Sequence, residues 1–94
     1  MNYKVEIDQT GRGGGIRYTE DEQALSLDWE FASDGVDVFV PTPEQWDAYW
    51  QNRDAAWAAG RRQEILERVA EEVRKQKATS SKVTIEDNWI HFGF

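Results

Sequence analysis

The 94-residue sequence has no cysteine, two prolines, one histidine and one methionine. Without cysteine there is no disulfide framework, no thiolate metal site and no cysteine nucleophile. One imidazole is too few for a zinc centre of the common kind, so neither a metal nor another cofactor is expected. No apolar run approaches the roughly 18–20 residues of a membrane span. The first residues, Met1-Asn2-Tyr3-Lys4-Val5-Glu6, alternate polar and apolar and lack the apolar stretch of a signal peptide. These absences point to a small cytoplasmic chain, with residues 1–94 forming a single domain, since two cores would each have too few residues to bury.

Basic residues are missing from one long interval. Between Arg17 and Arg53 there is no Lys or Arg, while nine acids occur there. Residues 1–47 hold 11 acids and 3 bases, net −8; residues 48–94 hold 7 acids and 8 bases, net +1. A surface of that sign repels phosphate backbones and anionic lipid and attracts basic partners. Neither nucleic acid nor a membrane is therefore expected as a partner.

What is present is alternation. Residues 3–8 place Tyr3, Val5 and Ile7 on one face and Lys4, Glu6 and Asp8 on the other, a half-buried strand. Residues 9–15, with four glycines, read as a flexible turn. Ile16 and Tyr18 restart the alternation, and residues 19–23 read as a polar connection. Leu25, Leu27, Trp29 and Phe31 then alternate with Ser26, Asp28 and Glu30, and after the turn at Ser33-Asp34-Gly35 so do Val36, Val38 and Val40 with Asp37 and Phe39. Four antiparallel strands follow, each dry on one face and largely acidic on the other.

The period changes after Pro41. Thr42-Pro43-Glu44-Gln45 reads as a helix start, with Trp46, Tyr49 and Trp50 as its apolar stripe. Asn52-Arg53-Asp54 ends or interrupts that helix, and residues 55–60, holding Trp57, fit neither period. Residues 61–77 form a firm helix with Ile65, Leu66, Val69, Ala70 and Val73 as its stripe; Glu64–Arg68 and Glu71–Lys75 are favourable i,i+4 pairs. A two-residue turn at Asp87-Asn88 then sets Ile85 against Ile90 and Val83 against Phe92, with Thr84 and His91 sharing the other face. The architecture is α+β, ββββ-α-α-ββ, an antiparallel sheet of about six strands with helices packed on one face. Strand order is left open by the pattern.

The chemistry-bearing residues are few. Gly11-Arg12-Gly13-Gly14-Gly15 has no following Lys for a P-loop and no third glycine in phase for a dinucleotide fingerprint. His91 has no serine in a GxSxG context to activate. Asp28 and Glu30 lie about 7 Å apart by strand rise, with Glu6 and Asp37 in the same phase. Carboxylate pairs serve acid–base chemistry only when one is desolvated, and an open sheet face offers little depth for that. Five tryptophans are several times the ordinary usage. Trp29 and Trp46 are in core phase, whereas Trp57 and Trp89 are candidates for an exposed binding role.

These observations favour a non-enzymatic protein-interaction domain whose acidic sheet face meets a basic protein. One concrete version is an inhibitor or immunity-type protein covering a basic site. The candidate binding residues are Glu6, Asp28, Glu30, Asp37, Trp57, Trp89 and His91. Two further readings are a small enzyme or ligand-binding protein that uses carboxylates with His91, and a self-assembling structural module whose apolar C-terminal strand pairs with a second copy.

Overall fold

The computed structural model describes residues 2–79 and 81–93. Met1, Ser80 and Phe94, the last residue of the expected C-terminal apolar run, lie outside them. Six strands form one antiparallel sheet: β1 (Tyr3–Ile7), β2 (Gly13–Glu20), β3 (Gln23–Ala32), β4 (Gly35–Phe39), β5 (Lys82–Ile85) and β6 (Trp89–Gly93). Their order is β1-β2-β3-β4-β6-β5. The C-terminal hairpin enters with β6 inside and β5 at the edge. Ile90 and Phe92 of β6 are fully buried beside Val38 and Val36 of β4, while Val83 and Ile85 of β5 stay half-buried.

Strand alternation and the helical stripe meet in one cluster. Ile16, Tyr18, Leu25, Leu27, Trp29, Val36, Val38, Ile90 and Phe92 join Ile65, Leu66, Val69 and Val73 of helix α2 (Arg62–Lys77). α2 meets β1 at one sheet edge and β5 and β6 at the other, so the sheet curls about it. The other helix, α1 (Trp46–Gln51), is short. Thr42 Oγ1 accepts from the Gln45 N–H at 3.2 Å, so the cap acts on the turn just before α1. Residues 55–60 hold a single 3-10 turn, Ala56–Ala58. It is tied to α1 by Trp46 Nε1, which donates to the Ala58 carbonyl at 2.8 Å. The result is one long helix and one short one with the sheet.

Two local expectations are corrected. Gly13, Gly14 and Gly15 are not turn but the first residues of β2, paired with Glu30, Trp29 and Asp28. The turn shrinks to Gly11-Arg12, with Gly11 at φ 65°. The glycines are there for close approach: a Cβ on Gly14 would lie 2.0 Å from the Asp8 carbonyl oxygen, and one on Gly13 2.5 Å from that of Trp29. The Trp29 indole N–H donates to the same Asp8 oxygen at 2.9 Å and locks the crossing. The polar connection at 19–23 shrinks likewise, to Asp21-Glu22, because Thr19, Glu20 and Gln23 are ladder residues. Tyr3, expected in core phase, is exposed.

Candidate binding face

The register places the outward residues of β3, β4 and β6 in two parallel rows. In the first, Glu30 faces Asp37, Asp37 faces His91, and His91 faces Thr84. In the second, Asp28 faces Phe39 and Phe39 faces Trp89. Phe39 and Trp89 are each 42 % exposed, and apart from Tyr3 no other large apolar side chain among the described residues is so open. Phe39 and Trp89 therefore form an exposed aromatic pair, and the neighbouring outward positions are acidic or His91.

Glu30 opposite Asp37 is a like-charge cross-strand pair, which is mildly unfavourable. His91 offsets it from the other side. Its Nδ1 lies 2.5 Å from Asp37 Oδ1, and its Nε2 lies 3.5 Å from Asp34 Oδ2 in the β3–β4 turn. With a carboxylate as partner, Nδ1 carries the proton and donates. The hydrogen bond to Asp37 raises the His91 pKa above its usual 6.5, and the nearby charges of Asp37 and Asp34 add to it. In a Ser-His-Asp arrangement Nε2 would turn to a serine; here it faces Asp34.

Five of the seven sequence-derived candidates come together here: Asp28, Glu30, Asp37, Trp89 and His91. Glu6 shares the face but stands apart. It is opposite Arg17 on β2 and 3.8 Å from Lys4 Nζ, so bases separate it from the acidic rows. The expectation that every strand would be acidic outside fails at β2, whose outward residues are Gly13, Gly15, Arg17 and Thr19. Trp57 is not on this face. It is half-buried against the core and stacks on Tyr18 with ring centroids 6.3 Å apart. Phe39 and Asp34 were missed by sequence reasoning, although Phe39 shares the phase of Asp37.

A second polar cluster lies among the inward-facing residues. Glu20 is 3 % exposed and accepts from Arg61 Nη1 and Nη2, at 2.7 and 2.5 Å. Arg68 Nη1 donates to Glu20 at 3.1 Å and to the Tyr18 hydroxyl at 2.8 Å, and Tyr18 donates to Glu20. Arg61 holds the Glu20 carboxyl below its usual range, and burial with the Glu20 contact pushes the Tyr18 phenol up to about 12. Glu20 is thus kept ionised, the reverse of what a general acid needs. Its signal was readable: Glu20 keeps the phase of Ile16 and Tyr18.

Hollows adjoin this face on its β3 side. One, of about 460 Å³, is bordered by Glu6, Asp8, Gly15, Arg17, Ser26 and Asp28. Two smaller ones adjoin it around Ser26. None of the three is lined by His91, Asp37 or Trp89. Among the described residues no group of three His, Cys, Asp or Glu side chains is placed to hold a metal ion, and no helix is long and apolar enough to cross a membrane. No protein-family model, curated protein or solved structure matches the chain.

Proposed function

We propose that this chain is a non-enzymatic interaction domain that docks a basic protein surface on the sheet face bearing Phe39 and Trp89. In this reading the helices cover the opposite face and leave this one for the partner. The observation that carries it is the aromatic pair itself: two exposed rings opposite one another, with Asp28 abreast of Phe39 and Glu30, Asp37 and His91 in the adjoining row. A desolvated aromatic centre inside a charged rim is the usual make-up of a binding hot spot. Arg and Lys side chains suit both parts, stacking on the rings and pairing with the acids. An inhibitor or immunity-type role, covering the basic site of a cytoplasmic protein that acts on an anionic substrate, fits this chemistry.

The test uses three baits on native lysate at low and high salt: wild type, the triple reversal D28K/E30K/D37K, and Trp89→Ser. The partner held by wild type should be released by salt and lost by the triple reversal, because attraction becomes repulsion. Trp89→Ser should weaken capture at both salt concentrations. Equal recovery of the same partner by all three baits, with one salt response, would show the face to be plain solvated surface.

A further inference from the structure

A break in the β3–β4 ladder lies beside this face. In the β2–β3 hairpin the two-residue turn makes Glu20 and Gln23 a hydrogen-bonded pair, so the backbone groups of the odd residues of β3 point to β2. The Phe31 N–H, donating to the Arg12 carbonyl at 2.7 Å, fits that phase. The even residues therefore point to β4. Asp28, Glu30 and Ala32 find partners there in Phe39, Asp37 and Gly35.

Ser26 and Ala24 do not. The next positions abreast of them on an extended β4 would be residues 41 and 43, and both are proline. Proline has no N–H to give to the Ser26 or Ala24 carbonyl. The chain has also left: Val40 still bonds Asn88, but the Pro41 carbonyl accepts from Arg62 Nε at 3.1 Å, turned toward α2. Among the described residues, Ala24 and Ser26 have no backbone partner on that side.

Hollows flank this bare edge. One, of about 280 Å³, is bordered by Ser26, Asp28, Phe39, Gln45 and Tyr49; the other, of about 320 Å³, by Ala24, Leu25, Trp50 and Arg53. Trp50, which borders the second hollow, adds an independent observation. It is 2 % exposed, and its indole nitrogen is the one buried side-chain polar atom without a hydrogen-bond partner among the described residues.

We propose that residues 24–26 of β3 are a docking notch for a short extended segment of a partner protein, which adds as a strand in the place β4 vacates at Pro41. Only an extended chain offers donors and acceptors at the spacing of two alternate strand residues. Running antiparallel to β3, as β4 does, the residue abreast of Ser26 projects outward beside Asp28, where a lysine fits. The next residue, abreast of Leu25, projects inward toward Trp50, where a side-chain carbonyl such as that of asparagine accepts the indole proton. The notch shares Asp28 and Phe39 with the proposed binding face, but the inference rests on the unpaired β3 backbone and the Trp50 indole, which that reading does not use.

The probe is the blocked pentapeptide acetyl-Thr-Lys-Asn-Val-Thr-amide, added at millimolar concentration to the full chain and followed by NMR amide exchange. In the free protein the Ala24 and Ser26 amides should exchange quickly between the slow amides of Leu25 and Leu27. Near nine-tenths saturation, peptide should slow both by about tenfold and move the Trp50 indole N–H resonance. A peptide N-methylated at alternate residues, on the edge facing β3, should do neither. Ser26→Pro removes an N–H that has no ladder partner, so it should still fold and lose peptide binding. If Ser26→Pro does not fold, the comparison of the two peptides on wild type decides alone. Slow exchange of Ala24 and Ser26 in the free monomer, equal effects of both peptides, or no effect of either would overturn the proposal. So would protection that appears with protein concentration alone, which would make a second copy the occupant.

Discussion

His91 and Asp37, 54 positions apart in the chain, face each other across the β4–β6 pair with Nδ1 and Oδ1 2.5 Å apart. That contact joins the only imidazole to the acidic row and makes the face sensitive to pH. Because the folded pKa of His91 is raised above 6.5, its stabilising contribution is complete below pH 6.5 and is lost as pH rises through the folded value. The urea midpoint of wild type should therefore fall relative to His91→Gln from pH 6.5 upward, and the His91 ring resonances should titrate with a midpoint above 6.5. A midpoint at or below 6.5 would show that the Asp37 contact is not made in solution. His91→Gln should leave any activity or binding within a few-fold of wild type; a hundredfold loss of an activity without unfolding would favour the enzyme reading.

Glu20 has the opposite dependence. Its folded pKa is lowered, so the stability it adds is present above pH 4.5 and is lost as pH falls through the folded value. Glu20→Gln should cost about 2–3 kcal/mol near pH 7, because a buried acceptor of two arginines is neutralised. Arg61 and Arg68, each about a quarter exposed, regain some hydration, which keeps the loss below that of a fully buried pair. Denaturant curves of the two proteins should converge toward pH 3. A constant gap from pH 7 to pH 3 would mean that the charge of Glu20 contributes nothing.

Phe92 is fully buried in the cluster that α2 shares with the sheet. Phe92→Ala should cost about 3–5 kcal/mol, a large fraction of what a chain of this size has. Equal urea midpoints would contradict the β4–β6 packing.

The glycines of β2 separate packing from flexibility. Gly14→Ala drives a Cβ to 2.0 Å from the Asp8 carbonyl, between two backbones that cannot both yield. A loss of about 1–3 kcal/mol is expected. Gly15→Ala meets nothing closer than the Leu27 carbonyl at 3.9 Å and should be neutral or stabilising by up to about 1 kcal/mol. Similar thermal midpoints for the two variants would mean that the strand merely tolerates its glycines.

Local pattern alone determined a good part of this fold. Period-two alternation marked all six strands, because a strand with one wet face shows it residue by residue. The α2 stripe was legible for the same reason at period 3.6, and its five residues are buried as expected. The C-terminal register was legible because only a turn at Asp87-Asn88 puts Val83, Ile85, Ile90 and Phe92 on one face, and the ladder has that register. The outward phase of Asp28, Glu30 and Asp37 followed from the same rule.

Tertiary structure decided what those residues meet. Nothing local in β6 indicates that it pairs with β4, and only that pairing brings His91 to Asp37 and Trp89 to Phe39. Strand order depends on which edge buries the most apolar surface once α2 is in place, a property of the whole core. Gly13 and Gly14 were misread because the sequence shows conformational freedom, while the crossing of the Asp8 backbone that requires them is a long-range contact. Trp57 was misplaced for a related reason: its 3-10 turn has no period to read, and its burial comes from Tyr18, a residue of β2. The prolines at 41 and 43 were visible from the start as breakers. That they leave Ser26 and Ala24 without partners could be known only once β3 and β4 were aligned, because an unpaired carbonyl is defined by the strand that is not beside it.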